Sequence, residues 1–314
     1  MSDKEISMAS WQGRVDPEPD SARWHQRILP WRAGSVPGVV LVGFACDEGV
    51  RRNKGRVGAA AGPLAIRKAL ASLAWHQQRP VYDAGDITCP DGDLESAQAR
   101  LAVRVSEVLA EGHQPIVLGG GHEVAYGSWT GLATYMGSGG VVPRIGIVNF
   151  DAHFDLRDPA NGPSSGTPFA QIAAQCTMRG WPFHYACLGI SRASNTQALF
   201  ARAAALGVWV REDHEIREST LPQIATELDA FVAECDVLYL TLDIDVLPAA
   251  EAPGVSAPAA HGVSLPLLEP LLARLCKSGK LRVIDLAELN PSHDIDGRTA
   301  RTAARLIHRL SLMS

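Results

Sequence analysis

The chain has 314 residues, of which 46% are hydrophobic and 20% charged, and its formal net charge is −5. These values describe a soluble globular protein long enough for one large domain or two ordinary ones, with a sizeable core. A net negative charge without a basic block argues against nucleic acid or an anionic membrane surface as the main partner, and no apolar stretch reaches membrane-spanning length. The opening "MSDKEISMASWQGRVDPEPDSARWHQR" is polar and lacks an apolar signal core. The expectation is therefore a mature N-terminus, with residues 1–35 as a surface arm, in a cytoplasmic protein. Cys46, Cys89, Cys176, Cys187, Cys235 and Cys276 form no CxxC pair. In so long a chain without a signal peptide they are expected to be reduced, largely buried thiols, neither a disulfide framework nor a thiolate metal site.

In chain order, "GVVLVGFA" (38–45) predicts a strand and "GPLAIRKALASLAW" (62–75) a helix with Pro63 in its first turn. "PVYDAGD" is a short strand, and 94–112 is a helix stopped by Gly112. "QPIVLGGGH" is a strand running into a glycine turn, followed by a helix from Glu123. Strands at 144–150 and 183–190 come next, then a helix with Asn195 as N-cap. Strand "GVWVR", helix "LPQIATELDAFVAEC", strand "DVLYLTLDIDV", helix "LPLLEPLLARLCKSG", strand "LRVIDLAEL" and a helix from about Thr299 complete the chain. Continuous apolar strands separated by helices predict a parallel sheet of seven or eight strands, covered on both faces. No composition break marks a second domain. The longest irregular segments, 46–61, 155–168 and 246–264, are long enough to suggest functional loops.

Open parallel sheets bind ligands at the carboxyl ends of their strands, and three predicted strand ends carry unusual residues. His122 follows the glycine turn; Asp151, His153 and Asp155 follow one apolar run; Asp243 and Asp245 end another. Alternate residues of a strand point to one side, so each set is expected to converge. A histidine after a glycine turn, or an aspartate at a strand end, is often only a cap. Four carboxylates gathered in a cleft, however, repel one another, and burial raises the cost. No lysine or arginine lies within these motifs; two divalent cations would balance the charge. Oxygen-rich ligands with two imidazoles and no sulfur suit manganese, with iron(II), cobalt(II) and zinc as competitors. Two such ions can acidify a shared water and supply a hydroxide nucleophile.

"GGGHEVAYG", "NFDAHFDLR" and "LTLDIDVLPAAEAPGVSAPA" resemble, in order and spacing over roughly residues 38–310, the metal-binding signatures of the arginase/agmatinase (ureohydrolase) family. The resemblance implies a single α/β domain over 36–314, a three-layer α/β/α sandwich around a mainly parallel sheet of about eight strands. It also implies two Mn²⁺ ions per chain and hydrolysis of a C–N bond in an amidine or guanidine by a metal-bridging hydroxide. By motif position, His122, Asp151, Asp155 and Asp243 would ligate one or both metals, with His153 and Asp245 completing the set. Glu288, in "DLAELNP", matches the glutamate that pairs with the cationic amidine, so Glu288 and Asp155 are the expected catalytic residues.

Within the family, "DEGVRRNKGRVGAAAGPLAIR" (47–67), "PSSGTPFAQI" (163–172) and "GISRASNTQALF" (189–200) are similar to the branch that hydrolyses N-formimidoyl-glutamate to glutamate and formamide in histidine degradation. That small-molecule substrate carries one amidine and two carboxylates, so its site needs cations as well as an acid. The loop with Arg51, Arg52, Lys54 and Arg56 offers them, as do Arg157 and Arg192 beside strand ends. Arginases resemble one another in having an asparagine at the position of Arg157, and a guanidinium can grip a carboxylate at two points where asparagine cannot. They also have a proton-carrying histidine where this chain has Ser165, which leaves Asp155, Glu288, water, His184 or His261 to protonate the leaving amine. Alternatives are hydrolysis of a guanidino acid, arginine or agmatine, and an inactive metal-binding paralogue. Family resemblance further implies a homo-oligomer, a trimer or hexamer.

Overall fold

The computed structural model describes residues 7–313 apart from 138 and 141. Among these residues nine strands form one sheet: β1 (Leu29–Pro30), β2 (Val39–Ala45), β3 (Val81–Thr88), β4 (Gln114–Leu118), β5 (Ile145–Phe150), β6 (His184–Ile190), β7 (Trp209–Glu212), β8 (Val237–Asp243) and β9 (Leu281–Ala287). Their order is β1-β3-β2-β4-β9-β8-β5-β6-β7, and every pairing is parallel. The helices are α1 (Trp24–Arg27), α2 (Glu48–Arg52), α3 (Gly62–Ala71), α4 (Leu94–Ala110), α5 (Val124–Gly137), α6 (Pro168–Arg179), α7 (Gln197–Ala205), α8 (Leu221–Ala233), α9 (Leu265–Lys277) and α10 (Arg298–Met313).

Strand alternation builds the layers. Val39 and Leu41 of β2 join one apolar cluster with residues of α3, α8, α9 and α10, while Val40 and Val42 join another with α4, α5 and α6. A sheet with both faces buried in this way needs strands that are apolar at every position, and β5 and β8 are buried throughout. The result is the expected α/β/α sandwich. Among the described residues no helix is long and apolar enough to cross a membrane, and all six cysteines are free thiols.

Besides the short helices α1 and α2, which fall in segments read from the sequence as arm and irregular loop, three features stand out against the sequence reading. The ninth strand is the two-residue β1, which pairs with β3 at the sheet edge. Helix α6 stands where the sequence reading places no element; it buries Phe169, Ile172, Ala173 and Cys176 and ends on Gly180 in the left-handed region at φ +66°. The third is the expected surface arm, whose residues 1–6 lie outside the described set. Its stretch 12–20 is largely exposed, but Trp11 and Trp24 on either side are buried. Trp11 Nε1 donates to Asp83 Oδ2 at 2.7 Å, and Trp24 Nε1 donates to His308 Nδ1 at 3.0 Å.

Candidate metal centre

Four adjacent strands, β4, β9, β8 and β5, bring their carboxyl ends to one place. After β4 the chain turns through Gly119, Gly120 and Gly121. A Cβ at Gly120 would lie 1.8 Å from the carbonyl oxygen of Cys46, so this close approach requires glycine. His122 then points into the sheet end with its ring against Phe169, centroids 5.4 Å apart.

The sequence reading has each acidic set converge by strand alternation, and neither does so. β5 ends at Phe150, and Asp151 Oδ1 accepts the amide hydrogen of His153 at 2.7 Å. β8 ends at Asp243, whose Oδ1 accepts from the amide of Asp245 at 2.9 Å. In both, an aspartate side chain folds its own backbone two residues on, and that turn aims the next ligand candidate. Asp155 reaches the same point from a backbone at φ +49°.

The six predicted metal ligands form two groups that share Asp151: His122, Asp151, Asp155 and Asp243, and Asp151, His153 and Asp245. Within each, the ligand atoms lie within 4.8 Å of one another. His122 Nδ1 is 3.1 Å from Asp151 Oδ2, 2.9 Å from Asp155 Oδ2 and 3.2 Å from Asp243 Oδ2. His153 Nδ1 is 3.5 Å from Asp151 Oδ1 and 3.1 Å from Asp245 Oδ2. Burial opposes protonation of both imidazoles, but the facing carboxylates outweigh it and hold their pKa values well above the ordinary histidine range. Burial likewise raises Asp155 and Asp243, reinforced by neighbouring carboxylates, whereas the two imidazoles outweigh it at Asp151 and lower that residue.

Residues passed over in the sequence support the ligands. Asn149 Nδ2 donates to Asp151 Oδ2 at 2.9 Å, and His122 Nε2 lies 2.9 Å from Thr241 Oγ1. Asn149 and Thr241 each sit on a strand two residues before an aspartate at its end, which is the signal that could have found them. Asn195 is not the helix cap, a place taken by Thr196. It accepts from the amide of Phe154 and donates to the carbonyl of Ala152, clamping the backbone on both sides of His153.

Glu288 follows β9 at φ +68°. Its amide donates to the carbonyl of Gly120 at 2.8 Å, its Oε1 accepts from the amide of His122 at 2.9 Å, and its Oε2 is buried without a partner. Burial, then the carboxylate of Glu123, pushes its pKa up to about 8. Glu123 is itself raised to about 7 by burial.

All three long loops border a cleft of about 250 Å³ whose lining includes His153, Asp155, Asp243, Asp245 and Glu288 together with Asn53, Lys54, Arg56, Arg157, Ser165 and Ser256. The predicted substrate cations separate here. Arg157 lines the cleft and makes no side-chain hydrogen bond or ion pair among the described residues. Gly166 leaves room for it, since a Cβ there would lie 2.8 Å from Arg157 Cδ. Arg56 also lines the cleft, but its guanidinium donates to the carbonyls of Val255 and Ser256. Arg51 is paired with Glu48, Arg52 with Glu48 and Glu95, and Arg192 with Glu212 while lying over the Phe200 ring. None of these three lines the cleft. Ser165 accepts a hydrogen bond from Asn53 Nδ2 at 3.2 Å. His184 opens β6 at the opposite end of the sheet and His261 is exposed outside the cleft, so neither stands near the site.

Comparison with known proteins agrees with this geometry. The chain is 62% identical to a protein of Aeromonas hydrophila named formimidoylglutamase, over 97% of this chain and 98% of that one. A crystal structure of formimidoylglutamase from Bacillus subtilis is similar at a TM-score of 0.84 and 25% identity, covering 96% of this chain and 94% of that one. A Trypanosoma cruzi formiminoglutamase structure with Mn²⁺₂ is similar at 0.76 and 28%, covering 88% and 93%. The Arginase family model matches residues 37–313. Matched along almost all of its length, the chain belongs to the arginase family.

Proposed function

We propose that this chain is a binuclear manganese hydrolase that cleaves N-formimidoyl-L-glutamate to L-glutamate and formamide. The observation that carries the reading is the environment of His122 Nδ1. It is buried, it makes no hydrogen bond, and three carboxylate oxygens stand 2.9–3.2 Å from it. An imidazole lone pair facing three oxyanions is repulsive, and either a proton or a metal cation among them relieves it; a divalent ion does so while also offsetting the charge of the surrounding carboxylates. The donor set, four carboxylates and two imidazoles without sulfur, fits manganese. His122, Asp151, Asp155 and Asp243 would hold one ion, and Asp151, His153 and Asp245 the other. When bound, the pair supplies Lewis-acid charge that acidifies a water for attack on the amidine carbon. The 62% identity to a formimidoylglutamase and the similarity to a manganese-containing formiminoglutamase structure support the same assignment.

The chain's own groups supply the rest. Glu288 accepts hydrogen bonds from the cationic amidine and orients its carbon; the approaching positive charge favours the ionised carboxylate that burial disfavours. Arg157 takes a substrate carboxylate by paired donors. Water adds its oxygen to the amidine carbon, the bond to the glutamate nitrogen breaks, and that nitrogen leaves as an amine that needs a proton. Asp155, in the cleft lining, takes the proton that the attacking water loses and passes it to that nitrogen, a relay for which Ser165 is too weak an acid and base. A panel of amidines and guanidines assayed with Mn²⁺ tests the reading. Formamide from N-formimidoyl-glutamate is the expected product. Urea from a guanidino acid, arginine or agmatine in its place, or no product from any substrate, overturns it.

A further inference from the structure

Lys54 stands where helices ordinarily end on glycine. At the end of α2 the amide of Gly55 donates to the carbonyl of Val50 at 2.9 Å and that of Lys54 to Arg51 at 3.0 Å. These are the two reverse hydrogen bonds of a Schellman close, which requires a left-handed residue at the position Lys54 fills. Lys54 has φ +62°, a conformation that glycine adopts freely and a side chain does not. The residue that follows is held to glycine for a different reason: a Cβ at Gly55 would lie 2.7 Å from Ser256 Oγ and 2.9 Å from Val50 Cγ1.

The strained lysine faces the cleft. Lys54 belongs to the lining, and its ammonium makes no hydrogen bond or ion pair among the described residues. On the same loop, Arg51 and Arg52 are committed to carboxylates and Arg56 to backbone carbonyls. Among the described residues the cleft thus holds two lysine or arginine side chains with no hydrogen-bond or ion-pair partner, Lys54 and Arg157. Backbone strain that persists beside a reaction centre is often part of its function.

We propose that Lys54 is a substrate-binding residue, taking one of the two carboxylates of N-formimidoyl-glutamate while Arg157 takes the other. This assignment rests on the hydrolase reading above. The short helix and its left-handed close fix the root of the side chain. The four-carbon stem then lets the point charge meet a carboxylate that the planar guanidinium does not reach.

The test uses Mn²⁺-loaded wild type, Lys54→Gly, Lys54→Met and Arg157→Ala. The substrates are N-formimidoyl-glutamate, its two analogues lacking one carboxylate each, and an alkylformamidine lacking both. For the Lys54 variants, kcat/KM on the dicarboxylate is expected to fall about ten- to a hundredfold, equivalent to about 1.4–2.8 kcal/mol, chiefly through KM. Loss on the carboxylate-free amidine is expected to be much smaller. Lys54→Gly is expected to melt at or above the wild-type temperature, since it relieves the strain. Lys54→Met and Arg157→Ala are expected to lose their penalties on different single-carboxylate analogues. Equal losses on all substrates, or a lowered Tm for Lys54→Gly, would make Lys54 a structural residue of the loop. Active wild type with unchanged Lys54 variants overturns this assignment alone; wild type inert toward N-formimidoyl-glutamate overturns the hydrolase reading and the assignment with it.

Discussion

Two further cleft residues hold left-handed backbone, Asp155 at φ +49° and Glu288 at φ +68°. Such a conformation costs on the order of 1–3 kcal/mol per residue, and aspartate tolerates it better than glutamate does. At Glu288 the cost is offset by hydrogen bonds to Gly120 and from His122. The side-chain bond can survive a change of charge. Glu288→Gln keeps an oxygen to accept from His122 and removes the carboxylate proposed to pair with the amidine. Turnover is expected to fall by at least about two orders of magnitude, because hydrogen bonds to charged groups contribute roughly 1.5–3 kcal/mol each. Metal content, measured by elemental analysis, is expected to stay at the wild-type level. Near-wild-type kinetics in that variant would remove Glu288 from catalysis. The ligand candidates were legible in the sequence because acids and imidazoles two positions apart at strand ends have few structural uses. Arg192 lies outside the cleft lining for a reason the sequence does not carry. Sequence places it beside a strand end, but Glu212, on the neighbouring strand, captures its guanidinium. Sequence spacing likewise does not distinguish Lys54 from the committed arginines of its loop.

At the scale of elements, apolar runs bounded by glycine and proline marked eight of the nine strands. The ninth, β1, has only two residues and no periodicity to read. Helix α6 did carry a signal, with Phe169, Ile172, Ala173 and Cys176 at helical spacing, but it follows a glycine- and proline-rich loop that masks its start. The N-terminal segment is held by contacts between residues far apart in sequence. Trp24 stacks within a cluster containing Trp11 and Trp75. Its indole N–H donates to His308 Nδ1, which also lies 3.2 Å from Gln77 Nε2. Indole nitrogen only donates, so Nδ1 must stay unprotonated. Burial, then His76 and two arginines, depress the His308 pKa below the ordinary value. A histidine whose folded pKa is depressed contributes stability that is full above its unfolded pKa of about 6.5 and is lost as pH falls through the folded value. Residues 7–35 are therefore expected to be cleaved faster in limited proteolysis at pH 5.5 than at pH 7.5. That difference is expected to be largely absent in His308→Ala, which has lost the anchor at both values. An equal pH effect in the variant would assign it to some other group.

For the whole molecule, the arrangement of strand ends concentrates electrostatic cost at one point of the sheet and makes global stability depend on what neutralises it. Without metal, His122, His153, Asp155, Asp243 and Glu288 all hold protons more tightly in the fold than in the unfolded chain. Groups with raised folded pKa values, acids and bases alike, make the folded state bind more protons, so stability falls as pH rises through the range where they titrate. Asp151, lowered by the imidazoles, works in the opposite direction, but its window lies below its ordinary value, far under neutral pH. Metal binding reverses the balance, because ligands must shed protons to coordinate and a bound ion stabilises only the folded state. The melting temperature of chelated protein is therefore expected to lie below that of Mn²⁺-loaded protein, and the gap is expected to widen between pH 6 and pH 8.5. Replacing Asp243 with alanine removes a proposed ligand of the first group and one source of repulsion together. Chelated Asp243→Ala is thus expected to lose less stability over that pH range than chelated wild type, while responding less to added Mn²⁺. Calorimetry of the two proteins, each chelated and loaded, checks both statements. A wild-type gap that stays constant or narrows toward pH 8.5 would mean that the cluster is neutralised by something other than protons and metal.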